Sequence, residues 1–201
     1  MGLQKCGGCL SCLLIPLALW SIVINVLLYF PDGKTWHASG SNLNNYVWYF
    51  EGICFSGIMM LLLAALLIAL DREIFPRCCQ SESCTKTYRS VVSVVLSLLG
   101  IAFSGYSLII STLGLVQGPY CKTPAGWEYI FKDTVGSYLV DHTAWSECSE
   151  PAYVVEWNVI LFSILIALSG LQMLICFLKV IAELKRILCG TYPVFNQSGL
   201  I

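Results

Sequence analysis

Four long apolar segments constrain the fold of this chain more than any other feature. Each has close to or more than the roughly 20 residues that an α-helix needs to cross the hydrocarbon of a bilayer. They lie at residues 10–30, 47–70, 91–117 and 157–180. Because 57% of the 201 residues are hydrophobic and only 11% are charged, a soluble fold could not bury this much apolar surface. The sequence therefore predicts an all-α membrane protein, with a single domain of four transmembrane helices.

Lysines and arginines are distributed unevenly between the segments that connect these helices. Eight lie in the N-terminal tail, the 71–89 loop and the C-terminal stretch: Lys5, Arg72, Arg77, Lys86, Arg89, Lys179, Lys185 and Arg186. Only Lys34, Lys122 and Lys132 lie in the two remaining loops. Because basic segments stay in the cytosol, we predict cytosolic termini, a cytosolic 71–89 loop and a cytosolic tail at 181–201. The 31–46 loop and the large 118–156 loop are then extracellular. No basic run suggests a nucleic-acid partner.

Small residues repeat along the third predicted helix with a heptad period. The spacing alternates between three and four residues through Ser90, Ser93, Ser97, Gly100, Ser104, Ser107, Ser111, Gly114 and Gly118. A period of 3.5 residues predicts a left-handed bundle, and small side chains let helix backbones approach closely in lipid. We interpret this small-residue seam as an internal contact with the first or second helix. The alternative is a surface for homo-oligomer formation.

Three polar side chains fall inside the predicted helices. Asn25 and Glu51 lie at similar depths below the outer membrane face, and a carboxyl group there requires a partner, a proton or water. We therefore predict a contact between Asn25 and Glu51, or a small polar pocket around them. Gln172 lies deeper, level with Ser97 or Gly100, and is predicted to bond to the third helix. Helix packing explains these groups, and a transport pathway is the alternative.

Two of the eleven cysteines, Cys121 and Cys148, fall in the predicted extracellular loops, where thiols are oxidised. We predict a disulfide between them that closes a small extracellular subdomain between helices 3 and 4. Five aromatic residues inside the ring are candidates for a small core and for partner binding: Trp127, Tyr129, Phe131, Tyr138 and Trp145. Acidic residues outnumber lysines in this loop, which indicates either a basic partner or a solvated face.

Seven cysteines lie at the predicted cytosolic membrane face: Cys6, Cys9, Cys12, Cys78, Cys79, Cys84 and Cys189. Juxtamembrane thiols of this kind are candidates for S-palmitoylation. The Cys6, Cys9 and Cys12 spacing is also found in zinc and iron–sulfur sites, but no histidine lies nearby. We predict no metal and no cofactor, and unmodified thiols are the third alternative.

The C-terminal stretch contains two further patterns. Apolar residues continue beyond residue 180, so helix 4 is expected to extend past the bilayer and to lie partly on its surface. Tyr192 and Phe195 form a tyrosine-x-x-bulky-apolar pattern in the tail. This pattern is a candidate sorting motif for endosomal cycling, and chance occurrence is the alternative.

Several local motifs together resemble one family. They are Asn25-Val-Leu-Leu-Tyr-Phe-Pro-Asp-Gly33, Gly118-Pro-Tyr-Cys121, Trp145-Ser-Glu-Cys-Ser-Glu-Pro151 and Glu156-Trp-Asn158. The chain resembles the L6 branch of the four-transmembrane superfamily, the tetraspanin-like L6 antigen family, over essentially its whole length. The Cys-Cys-Gly motif of tetraspanins proper is missing, because Gln80 follows Cys78 and Cys79. The resemblance implies a plasma-membrane scaffold without enzymatic activity, which associates with integrins, tetraspanins or growth-factor receptors and influences adhesion, migration or proliferation.

Other functions compete with the scaffold hypothesis. A membrane thiol oxidoreductase would use the Cys6–Cys9 or Cys9–Cys12 pair, although the predicted cytosolic position argues against lumenal oxidation. A small-solute or proton transporter would depend on Glu51. A junction protein of the claudin kind is a weaker alternative, because the 31–46 loop is short and contains no cysteine.

Overall fold

The transmembrane helices dominate the structure. A computed structural model describes residues 2–30, 53–72, 82–124, 126–131, 136–149 and 153–191. Within these ranges, four helices are long and apolar enough to cross a membrane: Leu10–Leu28, Ile53–Asp71, Thr85–Gln117 and Val154–Leu188. This result confirms the predicted all-α, four-helix class.

The helices extend beyond several of the apolar segments. Helix α1 covers Gly2–Leu28, and a π-helical segment, Ile53–Met59, continues directly into α2, Met60–Asp71. Helix α3 covers Glu82–Gln117 and α4 covers Val154–Thr191. Helix α4 therefore continues as one helix well past residue 180, the predicted end of its apolar segment. The predicted start of the second span, at residue 47, lies outside the described residues.

Helices α3 and α4 form the most extensive helix pair in the described part of the chain. A Cβ atom at Gly100 would lie 2.6 Å from Sγ of Cys176, and one at Gly114 would lie 2.7 Å from the ring of Phe162. Between these two contacts, Ser169 donates a hydrogen bond of 3.1 Å to Ser107. From one pair to the next, the residue number rises by seven along α3 and falls by seven along α4. The two helices therefore pack antiparallel in a constant register.

Helix α4 has a heptad pattern of its own that matches the seam. Its members are buried and separated by alternating steps of four and three: Asn158, Phe162, Leu165, Ser169, Gln172, Cys176, Lys179 and Glu183. The sequence predicts that the seam faces the first or second helix, and the structure corrects this expectation. The seam packs mainly on α4, with Leu63 of α2 also close to Gly100. Because the seam is buried within one chain from Ser93 to Gly118, this part of it offers no exposed face for a second copy.

The rest of the core fills the space around α1. Leu14 and Ala18 of α1 pack with Met60 and Leu67 of α2 in one buried cluster. On the outside of the bundle, large apolar side chains stay exposed: Trp20, Leu62, Leu98, Ile109, Leu174 and Phe177. An exposed apolar surface of this extent is the surface that a bundle presents to lipid.

The two ends of the bundle differ. At one end, called the loop end, a short antiparallel hairpin follows α3, with β1 at Cys121–Thr123 and β2 at Gly126–Glu128. Two 3₁₀ helices, Ser137–Leu139 and His142–Glu147, precede α4. At the other end, called the tail end, α1 begins, α2 ends and α3 begins. The last turns of α4 lie there as well.

Candidate functional site

A disulfide closes the subdomain at the loop end. Cys121 and Cys148 are bonded, with their Cα atoms 5.6 Å apart, as the cysteine positions predict. Next to this bond, Lys122 O accepts hydrogen bonds from the backbone N–H and the hydroxyl of Ser149, at 3.0 and 2.8 Å. The disulfide and these two bonds attach the end of the loop to strand β1.

An aromatic core fixes the subdomain to the end of α3. The rings of Phe131 and Tyr138 stack with centroids 4.4 Å apart, and each residue is only 1% exposed. The Tyr138 hydroxyl donates to Leu115 O, and burial raises the pKa of Tyr138 to about 12. Trp145 Nε1 donates to Tyr138 O at 2.8 Å. Of the two roles that the sequence predicts for Phe131 and Tyr138, burial supports the small core and not the contact with a partner.

Trp127 and Tyr129, two other predicted partner-binding residues, are half-buried on or next to the hairpin. Tyr120 stacks on Trp127 with ring centroids 5.8 Å apart and meets Tyr129 at 4.8 Å. The Tyr120 hydroxyl also donates to Trp127 O. These three rings form a small surface cluster that stays partly accessible to a partner.

A cleft of about 210 Å³ lies where the loop meets the start of α4. Its lining residues come from the second 3₁₀ helix, the disulfide, the residue before α4 and the first turn of α4: Trp145, Ser146, Cys148, Tyr153, Val154, Val155 and Glu156. Tyr153 is 73% exposed and has a φ of 59°, which is unusual for a residue other than glycine. Of these residues, the sequence motifs contain Trp145, Ser146, Cys148 and Glu156. The motifs predict neither the cleft nor Tyr153.

Among the intramembrane polar groups, Gln172 has partners different from those predicted. Gln172 Nε2 donates to Ser56 O at 3.0 Å and to Ser21 Oγ at 3.5 Å. Gln172 therefore bonds to helix 2 and α1, not to α3, and the α3–α4 register places it level with Ser104. Asn25 Nδ2 donates to Ser21 O, one turn earlier in α1. Glu51, its predicted partner, lies outside the described residues.

A charged network that the sequence did not reveal lies at the tail end. Lys179 Nζ is 2.5 Å from Asp71 Oδ2 and 2.7 Å from Ser11 Oγ. Ser11 in turn donates to Asp71 Oδ2 at 3.0 Å. The network joins α1, α2 and α4, and Lys179 is only 1% exposed, although the sequence counts it among the cytosolic basic residues. However, Asp71 directly follows the second apolar segment and Lys179 lies at the end of the fourth, on the same side of the predicted bilayer. This pattern could have paired them.

The cysteines are described unequally. Cys12 and Cys54 are exposed free thiols, and Cys176 is buried. Four acylation candidates have side chains outside the described part of the structure: Cys6, Cys9, Cys84 and Cys189. Cys78 and Cys79 lie wholly outside it. Tyr192 and Phe195 also lie outside it. Acylation and sorting therefore stay predictions. Among the described residues, no three His, Cys, Asp or Glu side chains are placed to hold a metal ion.

A four-helix bundle with a disulfide-closed loop between its third and fourth helices defines a tetraspanin-like membrane protein. The family described as L6 membrane protein matches residues 1–193, and the chain belongs to this family. It is 62% identical over 201 residues to Transmembrane 4 L6 family member 18 of Bos taurus and to that of Homo sapiens, with both chains fully covered. It is 46% identical to Transmembrane 4 L6 family member 1 of Homo sapiens, covering 92% of this chain and 93% of the relative. No solved structure matches the chain.

Proposed function

We propose that the protein is a non-enzymatic scaffold of the plasma membrane, which associates laterally with adhesion or growth-factor receptors. The observation that carries this proposal is the loop-end subdomain. A disulfide closes it, and the contact of Tyr138 with Leu115 O attaches it to the end of α3. Its outer surface still presents Trp127, Tyr129 and the Tyr153 cleft. A rigid subdomain with accessible aromatic groups is suited to recognise another protein.

The interior of the bundle supports a structural role for its polar groups. Ser107 and Ser169 bond to each other, and Gln172 bonds to two neighbouring helices. Hydrogen bonds between helices are a common way to hold a bundle together in lipid. Close contacts at Gly100 and Gly114 fill the space between α3 and α4. These contacts favour a packed bundle that supports the loop.

The tail end supports a second part of the proposal, the acylation of the cytosolic cysteines. Cys12 is exposed on α1, next to Ser11, which faces inward to Asp71 and Lys179. A thiol in this position points away from the bundle, where an acyl chain would enter lipid. We propose that acylation of the cytosolic cysteines places the scaffold in particular lipid surroundings. Endosomal cycling through Tyr192 and Phe195 belongs to the same proposal.

The test is quantitative co-purification from cells in mild detergent, with wild type compared with a variant in which the seven cytosolic cysteines are serine. The matched control is Cys54→Ser, which removes an exposed thiol from the loop-end half of the second helix. We expect one or more receptors or adhesion proteins to be enriched with wild type and with the control, and to be reduced with the seven-cysteine variant. Absence of any enriched partner, with wild type intact at the cell surface, would contradict the scaffold function.

A further inference from the structure

We propose that the Tyr153 cleft binds an arginine or lysine side chain on an extracellular segment of the partner protein. This inference rests on the proposed scaffold function and names the chemistry of its recognition. Two aromatic residues, Tyr153 and Trp145, and the acidic residue Glu156 line the cleft. A guanidinium or ammonium group is stabilised by these two kinds of neighbour, an aromatic face and a carboxylate.

The backbone at Tyr153 has an unusual conformation. Its φ of 59° lies in the left-handed region, which a residue with a Cβ atom rarely adopts. Glycine would adopt this conformation without strain. The tyrosine ring does not compensate by packing in the core, because the residue is 73% exposed. A large exposed side chain at a strained position is an indication of a functional constraint.

The surroundings of Tyr153 hold the cleft in place. Trp157 N donates to Tyr153 O at 3.0 Å, which begins the first turn of α4. Trp145 is fixed from the other side by its bond to Tyr138 O. The cleft therefore lies between two anchored elements. Binding would require little ordering of the protein, which favours affinity.

The charge of the loop selects the cationic partner. The segment from 118 to 156 contains six acids and two lysines: Glu128, Asp133, Asp141, Glu147, Glu150, Glu156, Lys122 and Lys132. Glu156 is exposed at the cleft, and Glu128 and Asp141 are exposed elsewhere on the subdomain. This excess of negative charge attracts a positively charged segment and disfavours an anionic one.

Fluorescence anisotropy on the full chain in phosphatidylcholine nanodiscs tests the inference. The probes are two labelled hexapeptides, Gly-Ser-Arg-Arg-Ser-Gly and the same peptide with neutral citrulline in place of each arginine. We expect the arginine peptide to bind about tenfold more tightly than the citrulline peptide, as expected for a charged hydrogen bond. We expect Glu156→Gln and Tyr153→Gly each to remove most of this difference. Glu128→Gln, which changes an exposed acid on β2 outside the cleft, should leave it within about twofold.

Tyr153→Gly separates recognition from folding. Because glycine relieves the strained backbone, this variant should unfold at the same temperature as wild type or higher, while it loses peptide binding. Equal binding of the two peptides, absence of binding by both, or full binding by Tyr153→Gly and Glu156→Gln would overturn the inference. A change of oligomeric state in the cleft variants would also overturn it, because a second copy would then be the occupant.

The same variants distinguish this inference from the scaffold proposal. In the co-purification experiment, the cleft proposal predicts that Glu156→Gln loses the partner that wild type retains. If Glu156→Gln retains the partner, the cleft inference fails and the scaffold function stands. If wild type enriches no partner, the scaffold function fails, whatever the nanodiscs show.

Discussion

The buried ion pair at the tail end provides the strongest test of the bundle. Lys179→Met would keep the length of the side chain and remove its charge. Asp71, whose side chain is 17% exposed, would then keep only the hydroxyl of Ser11 as a partner within the network. Removal of one member of a buried ion pair costs about 3–5 kcal/mol. Because Asp71 is partly exposed, we expect the lower end of this range, about 3 kcal/mol.

Alkylation of Cys176 provides the assay. This thiol is buried one turn before Lys179 and would contact any Cβ atom at Gly100, so that a maleimide reaches it only after α3 and α4 separate locally. A loss of about 3 kcal/mol corresponds to a more than hundredfold rise in the open population, and therefore in the alkylation rate. Cys12 and Cys54 are exposed and report reagent activity in the same sample by mass spectrometry.

Two further variants complete the experiment. Lys185→Met removes an exposed lysine from the same helix, and should change the rate by less than about fivefold. The double variant Lys179→Met with Asp71→Leu removes both charges and should recover most of the lost stability, because an apolar pair of similar volume replaces the ion pair. An unchanged alkylation rate in Lys179→Met, or a double variant as labile as the single one, would refute the assignment of this pair to the interior.

Three other predictions concern the seam, the loop and the polar centre. In a thermal unfolding assay, Gly114→Ala should lower the free energy of unfolding by about 1–3 kcal/mol, because the new Cβ would lie 2.7 Å from Phe162. In the same assay the control Gly170→Ala, whose Cβ meets open space, should be neutral or stabilising by up to about 1 kcal/mol. Burial raises the pKa of Tyr138 to about 12, above its unfolded value of about 10. The contribution of Tyr138 to stability should therefore be complete below pH 10 and decline by about 1.4 kcal/mol per pH unit up to pH 12. Tyr138→Phe should abolish this dependence when unfolding of the loop is followed by tryptophan fluorescence. Gln172→Leu should lower the thermal midpoint, because it leaves Ser56 O without the 3.0 Å side-chain bond, and an unchanged midpoint would contradict its role in joining three helices.

The number and type of elements could be predicted because the bilayer restricts the choices. A chain in hydrocarbon must satisfy its backbone internally, so each long apolar segment becomes a helix. The disulfide could be predicted in the same way, because Cys121 and Cys148 are the two cysteines of the predicted outer loops. The heptad of small residues on α3 indicates a close helix contact from the residue pattern alone.

The helix against which the small-residue seam of α3 packs could not be predicted from α3 alone. The seam of α3 is compatible with any partner that carries a matching heptad, and the decisive pattern lies on α4, from Asn158 to Glu183. Estimates of depth were also too coarse for Gln172. They assume that the outer ends of α3 and α4 lie at the same depth, whereas α4 begins at Val154 and the register places Gln117, the last residue of α3, level with Val159. This offset of more than one turn is enough to exchange Ser97 or Gly100 for Ser104 as the neighbour of Gln172 in the register.

The small-residue seam and the cleft are structurally connected. The aromatic core of the loop rests on the last turn of α3, where Tyr138 bonds to Leu115 O and the ring of Phe131 lies over Gly118. Tyr153 precedes α4 directly, and Trp157 Nε1 bonds to Leu27 O of α1. A shift of α4 against α3 would therefore move one wall of the cleft relative to the other. Because small residues fix the α3–α4 register inside the bilayer, they also set the geometry of the cleft at the loop end.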